Sequence, residues 1–229
     1  WAAPDSIKPA PKRKDFREAF EPWDSIPETR YGAALKQIQS LGGDRLHNAG
    51  MRGEGMTIAV IDGGYKNADR IPALQKANIA GHRDFVYPPS ANIFNETDHG
   101  TMVLSTMATE QPHYLIGTAP RATFWLLRSE DMQSEQEVEE DYWAMAAEFA
   151  DSVGVDIINS SLGYNIYDDS LSTYRLWQLD GRTALISYTA SLLARKGIVL
   201  VNSAGNSGMG RGRKSRCRPM PTTASPWVH

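Results

Sequence analysis

The sequence predicts an α/β fold: a mostly parallel central sheet with helices on both faces. Three observations carry that prediction. Short apolar runs recur along the chain: MTIAVI (56–61), ATFWLL (122–127), GVDIINSSLG (154–163) and GIVLVNSAGNSG (197–208). Their continuous apolar character is that of strands buried on both faces, as in a parallel sheet. Between the runs lie segments with apolar residues at helical spacing. Strands alternating with helices in this way make a doubly covered sheet.

The elements follow in order. Residues 1–30 contain Pro4, Pro9, Pro11, Pro22 and Pro27 among charges. They read as an extended N-terminal arm or a linker. Tyr31, Leu35 and Ile38 fall at helical spacing, and Gly42-Gly43 closes that run. The strand MTIAVI follows Gly53 and Gly55 and ends on Asp62-Gly63-Gly64. A helix is expected to start near His99. After ATFWLL, the residues Val138, Tyr142, Met145, Phe149 and Val153 mark one face of a helix. GVDIINSSLG gives a strand and a turn, Leu185 to Lys196 a helix, and GIVLVNSAGNSG a last strand and turn. No internal repeat is visible.

Composition bounds the function. The chain has 229 residues, 41% hydrophobic and 22% charged, which suits one globular domain or most of one. The five basic residues of 211–229 (Arg211, Arg213, Lys214, Arg216, Arg218) have no acidic neighbour there. They leave residues 1–210 at −8, against −3 for the whole chain. A mildly acidic body argues against a nucleic-acid partner. No apolar run is long enough to span a membrane. Residue 1 is Trp, so the chain is expected to be a processed product or a fragment. The single cysteine, Cys217, excludes an internal disulfide framework.

Four short stretches could carry chemistry. Asp62 closes a strand, and catalytic groups in open α/β sheets gather at that carboxyl edge. It could equally cap the next turn. A dinucleotide loop is disfavoured, because Gly53-Glu54-Gly55 precedes the strand where such a loop must follow it. In DHGTMV (98–103), His99 stands at a helix start, where a neutral imidazole could act as a general base. No HExxH zinc pattern accompanies it. In SAGNSG (203–208), Asn206 could be a plain turn residue or an amide donor aimed at a developing oxyanion. In NSSLG (159–163), Ser161, Leu162 and Gly163 could be loop or could offer backbone to an extended peptide.

The order of these stretches resembles that of subtilisin-type serine proteases, over roughly residues 31–208. The family's V-I-D-x-G is matched by VIDGG (60–64), its H-G-T by His99-Gly100-Thr101, its S-L-G by Ser161-Leu162-Gly163, and its A-G-N by Ala204-Gly205-Asn206. The stretch from Arg128 to Tyr164 is further similar to secreted bacterial subtilases. The resemblance implies a three-layer subtilisin-like fold and serine endopeptidase activity on polypeptides. His99 would be the general base, Asp62 its orienting acid, Asn206 the oxyanion donor, and 161–163 the substrate-binding segment. It implies a secreted or cell-surface, monomeric enzyme with no membrane span. No cofactor is needed for catalysis. Structural calcium is compatible with the family, but no ligand set is assigned, and Asp168-Asp169 reads as a solvated loop.

One part of the family pattern is missing. The nucleophile lies in G-T-S-(M/A)-A, and only 23 residues follow Asn206, none spelling Gly-Thr-Ser. Ser203 and Ser207 sit in the oxyanion turn, and Ser215 and Ser225 in the basic tail. The expectation is therefore a partial catalytic domain over 31–210, incomplete at the C-terminus and inactive alone. Residues 211–229 are expected to be a disordered, frame-shifted tail. Back-translated and read one nucleotide over, RGRKSRCRPMPTTASPWVH permits W-K-K-I-A-V-P-A-D-A-D-D-x-V-T-V-G, a family-like continuation. The alternatives are a non-catalytic relative that binds extended peptides and an unrelated α/β enzyme acting on small molecules. A close approach of Asp62 to His99 would exclude the latter.

Overall fold

The structure, a computed structural model, describes residues 28–203 apart from 91, 165 and 179, together with residue 205. Two short helices come first, α1 (Leu35–Ser40) and α2 (Gly43–Asn48). Gly42 between them has φ of 69°, a left-handed conformation that glycine adopts without a Cβ clash. The helix predicted from Tyr31, Leu35 and Ile38 ends there, and a second one begins at once. Then follow β1 (Thr57–Asp62), β2 (Asn78–Asp84), α3 (His99–Ala108), the two-residue strands β3 (Glu110–Gln111) and β4 (Leu115–Ile116), and β5 (Thr123–Arg128). The chain continues through α4 (Val138–Ser152), β6 (Ile157–Ser160), α5 (Leu185–Arg195) and β7 (Val199–Asn202).

The main sheet has the order β2-β5-β1-β6-β7, with every pairing parallel. All six residues of β1 are buried. Side chains alternate across a strand, so β1 feeds two cores. Ala59 and Ile61 join Leu127, Ile158, Trp143 and Ile186 beneath α4 and α5. Ile58 and Val60 join Phe124, Leu126, Leu104 and Ala108 beneath α3. Helix, sheet and helix make the three layers. β1 is flanked by β5 on one side and β6 on the other, which brings the carboxyl end of β1 to the centre of the sheet edge.

Val138, Tyr142, Met145 and Phe149 share one stripe of α4, as their spacing predicts, and it borders the core: Tyr142 and Phe149 pack against it, and Val153 just beyond the helix is buried in it. Val138 and Met145 are exposed, while Glu139, Glu140, Trp143, Ala146, Ala147 and Ala150 are buried. Small alanines let α4 lie close to the sheet, and Trp143 fills the space, its Nε1 donating to Ser160 Oγ at 3.0 Å. On α5, Ile186, Ala190 and Leu193 are covered, with Leu185 and Tyr188 outside. More apolar surface is open on β7, where Val199 and Val201 are 57% and 51% exposed. Among the described residues β7 pairs only with β6.

Candidate active site

Asp62 is the last residue of β1, and His99 is the first of α3. Close packing of helix on strand brings them together. A Cβ on Gly100 would stand 2.4 Å from the Gly64 carbonyl oxygen and 2.9 Å from Asp62 Cβ, so only glycine lets the first turn of α3 approach this closely. Thr101 Oγ1 donates to the Lys66 carbonyl at 2.9 Å and pins the same turn. His99 Nδ1 then lies 2.9 Å from both carboxylate oxygens of Asp62. The Asp62 carboxylate is fully buried, whereas the His99 side chain is 42% exposed. Asp62 Oδ1 also accepts from the Gly63 N–H at 2.8 Å. Burial raises the Asp62 carboxyl above its ordinary range, and the hydrogen bond and charge of His99 oppose that rise. With Nδ1 donating to a carboxylate, the neutral ring presents Nε2 as an acceptor toward solvent. The pair can take a proton from a group placed there and stabilise the cation that results. Asp62 and His99 on opposite edges of the sheet would have broken the family reading, and they are not so placed.

A match to the subtilase family covers residues 53–225. The chain belongs to the subtilase family. Subtilisin E of Bacillus subtilis is 28% identical to it over 199 residues, 86% of this chain and 46% of that protein. Subtilisin J of Geobacillus stearothermophilus is 27% identical over the same shares of both. The chain thus spans about half the length of the curated relatives it matches. Among solved structures, the serine protease MycP1, described as an essential component of the type VII (ESX-1) secretion system, aligns with TM-score 0.56 at 18% identity. That alignment covers 81% of this chain and 50% of MycP1. The self-cleaved protease domain of PatA aligns with TM-score 0.51 at 23% identity, over 75% and 55% of the two chains. These last two establish the fold as subtilisin-like.

The other residues singled out from the sequence of this subtilase fall as follows. Ser161 is half-buried, Leu162 is buried in the core beneath α4, and Gly163 is exposed with open space at its Cβ position. Any contact of this segment with a peptide would therefore use backbone and Gly163, not the Leu162 side chain. Asn206 and the tail from 211 lie outside the described residues. Asp168 and Asp169 are exposed. The Asp168 carboxylate accepts from the Glu135 N–H at 3.1 Å, and its own N–H donates to the Glu135 carbonyl at 2.9 Å.

Sequence reasoning missed one feature of the same sheet edge. Glu130, after β5, Glu135, in the following loop, and Glu139, on the first turn of α4, each bring a carboxylate oxygen within 4.8 Å of the others. Glu130 Oε2 lies 3.1 Å from where a Cβ of Gly63 would be, immediately beyond Asp62. Burial, then repulsion from Glu135 and Asp62, push Glu130 up to about 7, against the pull of His99. Burial, then Glu135 and Glu130, push Glu139 up to about 8. An acidic stretch after a strand, SEDMQSEQEVEE, reads as a solvated surface. No spacing rule marks three carboxylates that converge through a loop.

Proposed function

We propose that this protein is a serine endopeptidase in which Asp62 and His99 are the acid–base pair. The observation that carries the reading is the 2.9 Å contact of His99 Nδ1 with both oxygens of a fully buried Asp62, at the carboxyl edge of the central strand. A serine hydroxyl placed beside His99 Nε2 would lose its proton to that nitrogen as its oxygen attacks the scissile carbonyl. Asp62 would hold the ring in the right tautomer and stabilise the imidazolium. His99 would then return the proton to the leaving amine. Asn206 would donate to the tetrahedral oxyanion. The backbone of Ser161, Leu162 and Gly163 would receive the peptide as an added strand.

The nucleophile is not supplied by these 229 residues, which contain no Gly-Thr-Ser. We propose that the chain alone forms no acyl-enzyme, and that the tail from Arg211 is a shifted reading frame. The same reading puts the complete enzyme outside the cytoplasm, as a monomer, on the likeness of its motifs to those of secreted subtilases. If the missing serine proves to be replaced in the complete gene, the protein is instead a peptide-binding relative.

A fluorophosphonate probe tests this. The 229-residue chain is expected to stay unlabelled. The product of a reading frame that restores Gly-Thr-Ser should label at one serine, and His99→Ala should abolish that labelling. Stoichiometric labelling of the 229-residue chain, or labelling indifferent to His99, refutes the assignment. The nucleotide sequence decides the tail: an early stop in the shifted frame makes the tail genuine.

A further inference from the structure

We propose that Glu130, Glu135 and Glu139 form a binding site for a hard divalent cation, calcium in particular, one residue beyond Asp62. The first observation is convergence: one oxygen from each carboxylate lies within 4.8 Å of the others. Oxygens that share a calcium ion bind it at about 2.3–2.6 Å, so they stand up to about 5 Å apart. The spacing is that of a coordination shell.

The second observation is independent of the clustering. Glu139 is 1% exposed, and neither of its carboxylate oxygens has a hydrogen-bond partner. Glu140, the next residue and also buried, shows what a structural glutamate looks like here. One of its oxygens accepts from the Tyr167 hydroxyl and the other from the Ile186 N–H at 3.0 Å. No such pair of partners serves Glu139: neither oxygen has a donor within hydrogen-bond geometry, and only the Gln136 N–H acts against the effect of burial. The buried hydroxyls of Ser129 and Tyr164 stand beside each other with no further partner, and all three carboxylates act on Tyr164. These are oxygen donors only, the set that hard cations select.

Among the described residues no protein cation fills the role. Arg128 is the nearest basic residue in sequence, and it is committed elsewhere. Its guanidinium donates to Asp84 and to the Gly63 carbonyl, both at 3.0 Å, and pairs with Glu96 at 3.4 Å. Among the described residues no ion pair involves Glu130, Glu135 or Glu139. Buried charge without a partner is costly, and a divalent ion would offset most of the formal charge of three carboxylates. A cavity of about 410 Å³ lined by Glu135, Tyr167, Asp168 and Ser172 adjoins the cluster and gives a small ion a way in.

The site stands apart from the peptidase reading, since binding is read without substrate. The chelator-treated 229-residue chain is titrated with calcium chloride at pH 8 by calorimetry. One saturable site is expected. Glu139→Gln should weaken it at least tenfold while leaving the metal-free melting temperature no lower. Glu130→Gln should weaken it in the same direction. Glu148→Gln, an exposed carboxylate elsewhere on α4, should leave it unchanged. Absence of saturable binding up to millimolar calcium overturns the proposal. So does equal affinity in Glu139→Gln, or a response to an arginine-containing peptide with none to calcium.

Discussion

Asp62 and Glu139 are two carboxylates at one end of the same sheet, equally withdrawn from water, and their surroundings differ. Asp62 has the Gly63 N–H and the His99 ring against it, and the pull of His99 opposes the effect of burial. Around Glu139 no cation stands among the described residues, and only the Gln136 N–H opposes the effect of burial, which Glu135, Glu130 and Asp131 reinforce. Burial alone disfavours ionisation in both. What separates a usable buried charge from a costly one is the partner. At Asp62 the protein supplies the partner from the start of α3. At Glu139 no described residue does the same. Asp84 offers a third case, a buried carboxylate whose partner is Arg128.

Breaking the partnered site should have the largest effect. On the proposed peptidase reading, Asp62→Asn in the complete protein is expected to lower turnover about ten-thousandfold, because the neutral amide no longer fixes the tautomer of His99. Steady-state kinetics on a peptide substrate measure it, and a loss under tenfold contradicts it. Next in size, Arg128→Met should leave Asp84 buried without a cation, its Oδ1 still accepting from the Val86 and Tyr87 N–H groups. Losing one member of a buried pair costs about 3–5 kcal/mol, to be read as a lower urea midpoint. An unchanged midpoint would show that these two N–H groups are partner enough for Asp84.

The converse change at Glu139 should stabilise, and only at high pH. Its carboxyl is raised from 4.5 to about 8 in the fold. Between those values the folded chain holds a proton that the unfolded chain has released, so stability falls as pH rises through that window and the penalty is complete above about 8. Asp131, Glu130 and Glu135 are the charged groups that reinforce it. In chelator, Glu139→Gln should therefore match the parent near pH 4 and become steadily the more stable of the two as pH rises to about 9. Thermal melts across that range test it, and a constant difference at all pH values would mean that the carboxyl titrates normally. The smallest effect is expected at Gly100→Ala. The added Cβ would meet the Gly64 carbonyl and Asp62 Cβ, so the first turn of α3 must back away. Overpacking of this kind costs roughly 1–3 kcal/mol. It should lengthen the Asp62–His99 contact as well.

Much of the partnered site was legible in the sequence, and the open one was not. VIDGG and HGT name a strand end and a helix start, and a parallel sheet brings such positions together whatever the intervening loop does. β1, β5, β6 and β7 are legible for the same reason: they are apolar runs. β2 is not, because NIAGHRD lies at the sheet edge, with only Asp84 fully buried, and carries no apolar signal. The hairpin of β3 and β4 is too short to leave a pattern. The full core face of α4 is not legible, because two of its buried positions are glutamates, which any polarity pattern sends to solvent. Glu140 is held there by Tyr167 and Ile186, more than twenty residues away in each case. Such partners are set by the fold, so a carboxylate's role cannot be read from its neighbours in sequence.

The central claim is that Asp62 fixes His99 with Nδ1 protonated and Nε2 free to act as the base. Nitrogen-15 NMR of the His99 ring tests it most directly, in the 229-residue chain and in its Asp62→Asn variant, at a pH where the imidazole is neutral. The account predicts a proton on Nδ1, strongly shifted downfield by the carboxylate, with Nε2 unprotonated, and loss of that downfield signal in Asp62→Asn. A ring protonated on Nε2, or a spectrum indifferent to Asp62, would contradict it.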